Sequence, residues 1–307
     1  MARRRRGIPV DGVLLLDKAQ GVSSNHALQQ VRRLYEAQKA GHTGTLDPMA
    51  TGLLPICFGE ATKFSAYLLD ADKTYRTRVR LGETTDTGDA EGTLIERHPV
   101  PALVEHDIEA VLERFRGDIE QIPPMYSALK HQGRPLYELA REGKQVERAV
   151  RRVKVYDMRL LSFEADGFEL EVRCSKGTYI RTLAEDIGRA LGCSAHITSL
   201  RRLRSGPFDA EAMHDFEALE QMDGASRQAR LLPIDAMLPH VPSLEVAAIE
   251  SRRLLHGQRA RVETGTLVAD ETARLYHDGA FLGLVSVTRP GEVAPRRLRN
   301  TASPVRE

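Results

Sequence analysis

The sequence contains no tryptophan, only three cysteines and no apolar run approaching the ~18 residues that a membrane-spanning helix requires. Cys57, Cys174 and Cys193 form an odd, widely spaced set without a CxxC pair, which argues against a disulfide scaffold and a zinc ribbon. The basic start at 1–6 is followed by an apolar stretch at 13–16 that is too short for a signal peptide. We therefore expect a cytoplasmic protein with no membrane partner.

The chain also has almost no net charge, since 44 Lys and Arg residues balance 43 Asp and Glu residues over the 307 positions. The balance hides segregation, because 73–80, 141–159 and 201–204 are basic whereas 105–120 and 209–223 are acidic. Basic segments of this kind suit a surface that follows the phosphates of a nucleic acid. They are equally explained as solvated faces, or as bases paired with the acidic stretches.

Residue periodicity predicts alternating strands and helices. A buried strand is expected at 12–17, and a helix capped by Ser23 or Ser24 is expected to run to Tyr35. The stretch 74–81 alternates, with Tyr75, Thr77, Val79 and Leu81 on one side and three arginines on the other. Further predictions are a turn at 84–92, a helix at 136–141, a hairpin of 153–163 with 168–174, and a helix from Thr178 to Leu191. This irregular order favours a mixed α/β or α+β sheet over a strict βαβ repeat.

Length and a change in composition predict a second domain. A 307-residue chain corresponds to roughly two domains. The segment 239–243 contains two prolines and follows the acidic region. Beyond it, 273–287 alternates around Asp278-Gly279, which is typical of a β-hairpin. We expect a domain boundary here and a small β-rich module after it.

The glycine-rich stretch at 41–52, GHTGTLDPMATG, is the densest candidate for chemistry. It lacks the Gly-Lys-Ser/Thr ending of a nucleotide loop, no G-x-S-x-G nucleophile accompanies His42 and Asp47, and neighbouring metal ligands are missing. Two interpretations remain open. Asp47 is either a carboxylate among glycines that let a ligand approach the backbone, or an aspartate that caps a turn.

Taken together with several other segments in the same order, this loop resembles the TruB family of tRNA pseudouridine-55 synthases. The other segments are VLLLDKAQGVSSN at 13–25, GEATKFSAYLLDADKTYRTRVRLGETTDTGDAEG at 59–92, RGDIEQIPPMYSALKHQGRPLYELAREGK at 116–144 and CSKGTYIRTLAEDIGRALGCSAHITSLRRLRSG at 174–206. The resemblance implies an α+β pseudouridine synthase core over 1–240, with a mixed, largely antiparallel sheet flanked by helices. It also implies a small β-rich, PUA-like RNA-binding domain over 244–307.

The resemblance further implies roles for individual residues. Asp47 matches the family's catalytic nucleophile, and Arg181 matches the arginine that pairs with it and favours its ionised form. Tyr75 matches the tyrosine that stacks on the target base, and His42 matches the residue that fills the gap left by the flipped nucleotide. The remaining matches are Tyr179 and Leu200 in the substrate pocket, and Lys18, which is followed by Ala19 where the family has proline.

The function implied is isomerisation of the T-loop uridine of tRNA to pseudouridine, with no cofactor and no metal, because the reaction neither adds nor removes a group. A mobile RNA-binding insertion is expected at 124–152, and the protein is expected to act as a monomer without a guide RNA. Two alternatives remain. One is an RNA-binding tRNA folding chaperone that acts without catalysis, and the other is a guide-RNA-dependent synthase of the related archaeal and eukaryotic branch.

Overall fold

A computed structural model describes residues 7–300 of the chain. The basic residues at 3–6 and the end of the expected second domain, 301–307, lie outside the described residues. Strands form where apolar and polar residues alternate or where short apolar runs occur. They are β1 (Gly12–Lys18), β2 (Ala40–His42), β3 (Thr51–Phe58), β4 (Lys73–Leu81), β5 (Glu83–Thr85), β6 (Leu94–Arg97), β7 (Gly117–Gln121), β8 (Lys130–His131), β9 (Arg134–Pro135), β10 (Arg151–Glu164), β11 (Gly167–Cys174), β12 (Ala195–Ser205), β13 (Phe208–Asp209), β14 (Ser243–Glu245), β15 (Ala260–Arg261), β16 (Thr272–His277), β17 (Ala280–Arg289) and β18 (Glu292–Leu298).

The helices follow local capping and periodicity. The Ser23 side chain accepts a hydrogen bond from the His26 amide, which starts the first helix at Ser24, and that helix ends beside Tyr35 as predicted. The α-helices are α1 (Ser24–Leu34), α2 (Ala66–Leu69), α3 (Glu105–Glu113), α4 (Leu136–Arg141), α5 (Ile180–Ala190), α6 (Phe216–Gln221), α7 (Gly224–Gln228) and α8 (Ala248–Leu255), and shorter 3-10 turns lie at Gly59–Lys63, Ala210–Ala212 and Ile234–Met237.

The main sheet is mixed and largely antiparallel, as predicted. Its strands lie in the order β1-β3-β12-β4-β11-β10-β7, with β2 paired to β3 and β13 paired to β12. Only the β3–β12 pairing in this sheet is parallel, and it aligns Gly52 with Arg202. Strand β4 is the middle strand of this order, with β12 on one side and β11 on the other, so residues far apart in the chain meet where β3, β12 and β4 lie side by side.

A second sheet, of order β14-β16-β17-β18-β15, is built from residues after 242. It has its own apolar cluster, which includes Leu275 and Val285. Phe281 and Leu284 on β17 pack instead with Phe64 and other residues that lie against the main sheet. Apolar burial therefore joins the two sheets. In the described part of the chain, no helix is long and apolar enough to cross a membrane.

The basic face of β4 is paired with acidic side chains. The arginines of the 73–80 run are paired with acids, but these acids lie outside the acidic stretches 105–120 and 209–223. Lys73 is buried and donates hydrogen bonds to three backbone carbonyls. The three arginines form ion pairs, which are Arg76–Glu171 at 3.6 Å, Arg78–Glu164 at 2.8 Å, Arg78–Asp166 at 3.2 Å and Arg80–Glu83 at 3.4 Å.

Gly52 is required where β3 meets β12. Its φ is +96°, and a Cβ at this position would lie 2.4 Å from the backbone oxygen of Arg202. We expect Gly52→Ala to lower the free energy of unfolding by more than ~1 kcal/mol, because the side chain would both strain the backbone and separate the strands. Urea denaturation measures the change. Gly224→Ala, where φ is ordinary and no atom lies within 4 Å, is the control, and equal stability of the two variants would contradict the prediction.

Candidate active site

A cleft of about 410 Å³ opens where the 43–50 loop faces β4, β12 and the start of α5. This volume is within the range of small-ligand pockets. Its walls come from segments that are distant in the chain and that the sheet order brings together. The lining residues are Gly44, Thr45, Leu46, Asp47, Leu69, Lys73, Tyr75, Ser127, Ala128, Leu129, Arg151, Ser175, Gly177, Thr178, Tyr179, Ile180, Arg181, Leu200 and Arg202.

The loop between β2 and β3 holds Asp47 in this cleft through buried hydrogen bonds. The Ser24 hydroxyl accepts from the Leu46 amide at 2.8 Å and donates to the Leu46 carbonyl at 2.9 Å. The Ala50 amide donates to the Asp47 carbonyl at 3.0 Å, which closes a tight turn. The loop is therefore anchored immediately before and after the carboxylate, which is the arrangement a positioned reactive group needs.

Asp47 and Arg181 form an ion pair, with Asp47 Oδ2 3.0 Å from Arg181 Nη2. Burial raises the pKa of Asp47, Arg181 opposes the rise, and the charge of Asp89 adds to it. Arg181 thus acts in the direction that favours the ionised form. Burial outweighs this effect, so the carboxyl titrates above its ordinary value.

Arg181 is 4% exposed although it lies in the first turn of α5. Its Nη1 and Nη2 donate to the carbonyls of Thr87 and Tyr126, each at 2.7 Å. Nη1 also lies 3.6 Å from Asp89 Oδ2. The guanidinium is therefore fixed between two carboxylates and two carbonyls.

Asp89 is a residue that the sequence analysis missed, because it treated 84–92 only as a turn. The side chain is 4% exposed, and its Oδ1 accepts hydrogen bonds from Thr87 Oγ1 at 2.6 Å and the Glu91 amide at 3.1 Å. The density of acids in that segment was the available signal. Only the tertiary contact shows that one of them reaches Arg181.

Tyr75, Tyr179 and Leu200 all line the cleft beside Asp47. Tyr75 lies on β4, and burial raises the pKa of its hydroxyl. Tyr179 precedes α5, and its backbone amide and carbonyl both bond to the Gln121 side chain, at 3.0 and 3.2 Å. The structure therefore brings these three predicted residues to the same place as Asp47 and Arg181.

Lys18 and His42 are close to the loop but are not among the residues that line the cleft. Lys18 is 1% exposed, and its ammonium donates to the carbonyls of Ala19, Val22 and Pro48 at 2.9, 2.6 and 3.2 Å. Burial lowers its pKa to about 8. His42 lies on β2 opposite Ile56, and burial together with the charge of Arg202 lowers its pKa.

Arg202 is a second residue that the sequence analysis missed, since it counted the 201–204 run as surface charge. It is 1% exposed, and Nε donates to the Leu53 carbonyl at 2.6 Å, while Nη2 donates to the Gly44 carbonyl at 3.3 Å. Its neighbour Arg201 is paired with Asp17 at 2.6 Å. The signal was strand alternation, because Arg202 shares a face of β12 with the buried Leu200.

Three family models match consecutive parts of the chain. A family model described as "TruB family pseudouridylate synthase (N terminal domain)" matches residues 32–180. Two others, "tRNA pseudouridylate synthase B C-terminal domain" and "Pseudouridine synthase II TruB, C-terminal", match 181–239 and 242–298. The chain belongs to the TruB family. Its likeness to individual TruB proteins extends over nearly the whole length.

Two relatives and two solved structures define that likeness. The tRNA pseudouridine synthase B of Chromohalobacter salexigens is 82% identical over 303 residues, covering 99% of each chain. That of Azoarcus sp. is 54% identical, covering 96% of this chain and 97% of the relative. A Cbf5-Nop10-Gar1 complex matches with 25% identity and a TM-score of 0.71, covering 95% of this chain and 85% of the solved one. An H/ACA RNP bound to a substrate RNA has the same fold, with 23% identity and a TM-score of 0.73, covering 98% and 92%.

The cleft's donors suit an anionic ligand better than a metal. Within residues 7–300, no group of three or more His, Cys, Asp or Glu side chains is placed to hold a metal ion. The cleft carboxylate Asp47 and the buried Asp89 are both engaged by Arg181.

Asp89→Asn is expected to shift the pH dependence of the reaction. Removing the Asp89 charge lowers the pKa of Asp47, because the like charge is lost and Arg181 can serve Asp47 alone. If activity needs ionised Asp47, the acid limb of the single-turnover rate of the Asp89→Asn variant moves to lower pH. Asp86→Asn, an exposed aspartate of the same segment, is the control. An unchanged limb, or one moved to higher pH, would contradict the prediction.

Proposed function

We propose that this protein is an isomerase that converts the T-loop uridine of tRNA, uridine 55, to pseudouridine. The observation that carries the proposal is the Asp47–Arg181 pair in a nucleotide-sized cleft that also contains Tyr75. The names of the relatives, tRNA pseudouridine synthase B, support tRNA as the substrate. The reaction exchanges an N1–C1′ for a C5–C1′ glycosidic bond in the same nucleotide.

The geometry supports a division of roles. Asp47 acts at the sugar as nucleophile or base, and Arg181 holds its carboxylate in place at 3.0 Å. Tyr75 stacks on the extruded base, an interaction worth about 1–3 kcal/mol, while Tyr179 and Leu200 form the pocket walls. His42 fills the gap left in the RNA when the loop enters it. His42 lies at the end of β2 and is not among the residues that line the cleft, which supports a role outside the base pocket.

Lys18 is proposed as a residue that positions the catalytic loop. Its ammonium joins the end of β1 to the Pro48 carbonyl, directly after Asp47. The family's proline is Ala19 here, and the Ala19 carbonyl is itself one of the acceptors of Lys18. The hydrogen bonds of the lysine thus support the loop without the ring constraint of a proline.

The proposed domains are a catalytic part at 1–240 and an RNA-binding part at 244–307. Within the first, we propose that 124–152 moves to contact the tRNA elbow. Its residues Ser127, Ala128, Leu129 and Arg151 line the cleft, and the Tyr126 carbonyl accepts from Arg181. The protein is proposed to act as a monomer, in the cytoplasm, without a guide RNA.

Tritium release tests the proposed function directly. An unmodified tRNA transcript carrying C5-tritiated uridine should release about one equivalent of tritium per tRNA, because forming the C5–C1′ bond expels the C5 proton. A transcript with cytidine at the T-loop position should lose that release. Tight tRNA binding with no tritium release would refute the proposed synthase activity and would favour the alternative of an RNA-binding tRNA folding chaperone. Tritium release that persists with the cytidine transcript would refute uridine 55 as the position that is modified.

Arg151 is expected to contact an RNA phosphate at the mouth of the cleft. It is exposed, lines the cleft and has no carboxylate within 4.0 Å among residues 7–300. Arg151→Gln should weaken tRNA binding and reduce the slope of log K against log salt by about 0.7–0.9. Arg78→Gln is the control, because Glu164 and Asp166 already neutralise that guanidinium. Equal slopes for Arg151→Gln and wild type would contradict the contact.

A further inference from the structure

The cleft and its immediate surroundings bury three cations that have no acidic partner. Lys18, Lys73 and Arg202 are 1%, 6% and 1% exposed. Among residues 7–300, no carboxylate oxygen lies within 4.0 Å of any of them. Their hydrogen bonds go to backbone carbonyls. These are Ala19, Val22 and Pro48 for Lys18, Leu68, Leu69 and Ala71 for Lys73, and Leu53 and Gly44 for Arg202.

Such a cluster is costly for the folded protein. Buried charges are ordinarily paired, and an unpaired one carries a desolvation penalty of several kcal/mol. Burial lowers the pKa of Lys18 and of Lys73 to about 8, and the charge of Arg202 adds to both effects. The fourth buried cation, Arg181, is already engaged by Asp47 and Asp89. Asp47 and Glu91 act on Lys18, and Asp70 and Asp72 act on Lys73, only from more than 4.0 Å away. These buried cations therefore lack a direct ion pair with any described side chain, which marks the site as prepared for an anion.

Arg202 is the member of the cluster best placed to meet a reacting base. It lines the cleft on the same face of β12 as Leu200, and its charge opposes the rise that burial causes in the pKa of the neighbouring Tyr75 hydroxyl. A phosphate, in contrast, is better met at the mouth, where Arg151 is exposed. The anion at Arg202 is thus expected to be the base itself.

We propose that Arg202, with the charges of Lys18 and Lys73 nearby, stabilises the negative charge that develops on the uracil ring during isomerisation. The proposal rests on the proposed function. The C1′–N1 bond breaks heterolytically, N1 keeps the electron pair, and the charge spreads over N1, O2 and O4. C5 then attacks C1′ and consumes that charge. The C5 proton leaves to solvent and N1 takes up a proton, so the reaction is balanced as an isomerisation.

The test compares two substrates in one variant. Arg202→Gln should slow single-turnover conversion of uridine about 10²-fold, the effect typical of removing one preorganised donor to a developing anion. With 5-fluorouridine at the same tRNA position, the loss should be at most about tenfold. Fluorine makes the base a more stable anion, which depends less on Arg202. Chromatography of nuclease digests measures loss of the N-linked nucleoside for both RNAs. It does not require tritium at C5.

The comparison separates the inference from folding and from the proposed function. A folding defect lowers the active fraction equally for both RNAs, so it cancels in the ratio of the two losses. Equal losses with both bases, or an undiminished rate with uridine, would overturn the inference. Arg201→Gln, which removes the adjacent arginine paired with Asp17, should match wild type. Arg202→Lys should regain part of the uridine rate. Failure of wild type to convert either RNA would instead refute the proposed function.

Discussion

Asp47→Asn should lower the rate of tritium release by at least ~10³-fold while leaving tRNA binding nearly unchanged. The amide has almost the same shape as the carboxylate and can still bond to Arg181. It supplies neither a nucleophile nor a base at the sugar. The loop should keep its conformation, because Ser24 and Lys18 hold it through the backbone of Leu46 and Pro48. Single-turnover release and a binding titration at one salt concentration measure the two quantities.

Asp157→Asn is the matched control for this prediction. Asp157 is exposed on β10, away from the cleft, and its Arg159 pair is 3.8 Å long. Such exposed pairs contribute about 0–1 kcal/mol, so its rate and its affinity should both equal those of wild type. Tritium release by Asp47→Asn at the wild-type rate would refute the proposed role of Asp47 as nucleophile. Loss of tRNA binding together with release would show that Asp47 acts in recognition rather than in chemistry.

Arg181→Met should reduce both activity and stability. The substitution leaves Asp89 buried without its cation and removes the donors of the Thr87 and Tyr126 carbonyls. Breaking a buried pair in this way costs about 3–5 kcal/mol of unfolding free energy. The pKa of Asp47 should rise further, because Arg181 is the strongest influence that lowers it. We expect a rate loss of ~10²-fold or more at neutral pH.

Two variants show whether Arg181 acts in the reaction or only in the fold. Arg181→Met/Asp89→Asn removes the stranded charge and should regain part of the stability without regaining the rate. Arg189 lies on the same helix, and its side chain is 68% exposed. Arg189→Met should change the free energy of unfolding by no more than a few tenths of a kcal/mol and should leave the rate at the wild-type value. Recovery of the rate in parallel with stability would show that Arg181 is purely structural.

Local patterns were sufficient for much of the fold. Alternation at 74–81 predicted β4, the Asp166-Gly167 signal predicted the β10–β11 turn, and the serines before α1 predicted its start. These features depend on residues within one element, where side-chain period and capping act directly. The glycine-rich loop also marked Asp47 as a candidate before any contact was known, although the residues by themselves favoured an aspartate that caps a turn.

The state of each charge was outside the reach of these patterns. The 73–80 and 201–204 runs looked alike as sequence. The arginines of the first run pair with nearby acids, whereas the second contains Arg202, buried against the 43–50 loop. From the sequence, Asp89 was interpreted only as a turn residue. The structure shows that the position of α5 brings Arg181 against it. Alternation with Leu200 indicates only which face of β12 Arg202 shares. The partner of each charge depends on which strands become neighbours, and a short segment does not encode that.

The sequence alone determined the elements, the reactive loop and the family resemblance, because all three depend on local order along the chain. Tertiary structure decided what the loop faces. The parallel contact of β3 with β12 and the position of α5 bring Arg181, Tyr75 and Arg202 to Asp47 from distant segments. Burial then changes the electrostatics, since desolvation outweighs Arg181 in setting the pKa of Asp47. Folding also buries Lys18, Lys73 and Arg202 with no acid of the described residues within 4.0 Å. Both effects arise only when the sheet is assembled, because a desolvation energy is a property of the surroundings rather than of the residue.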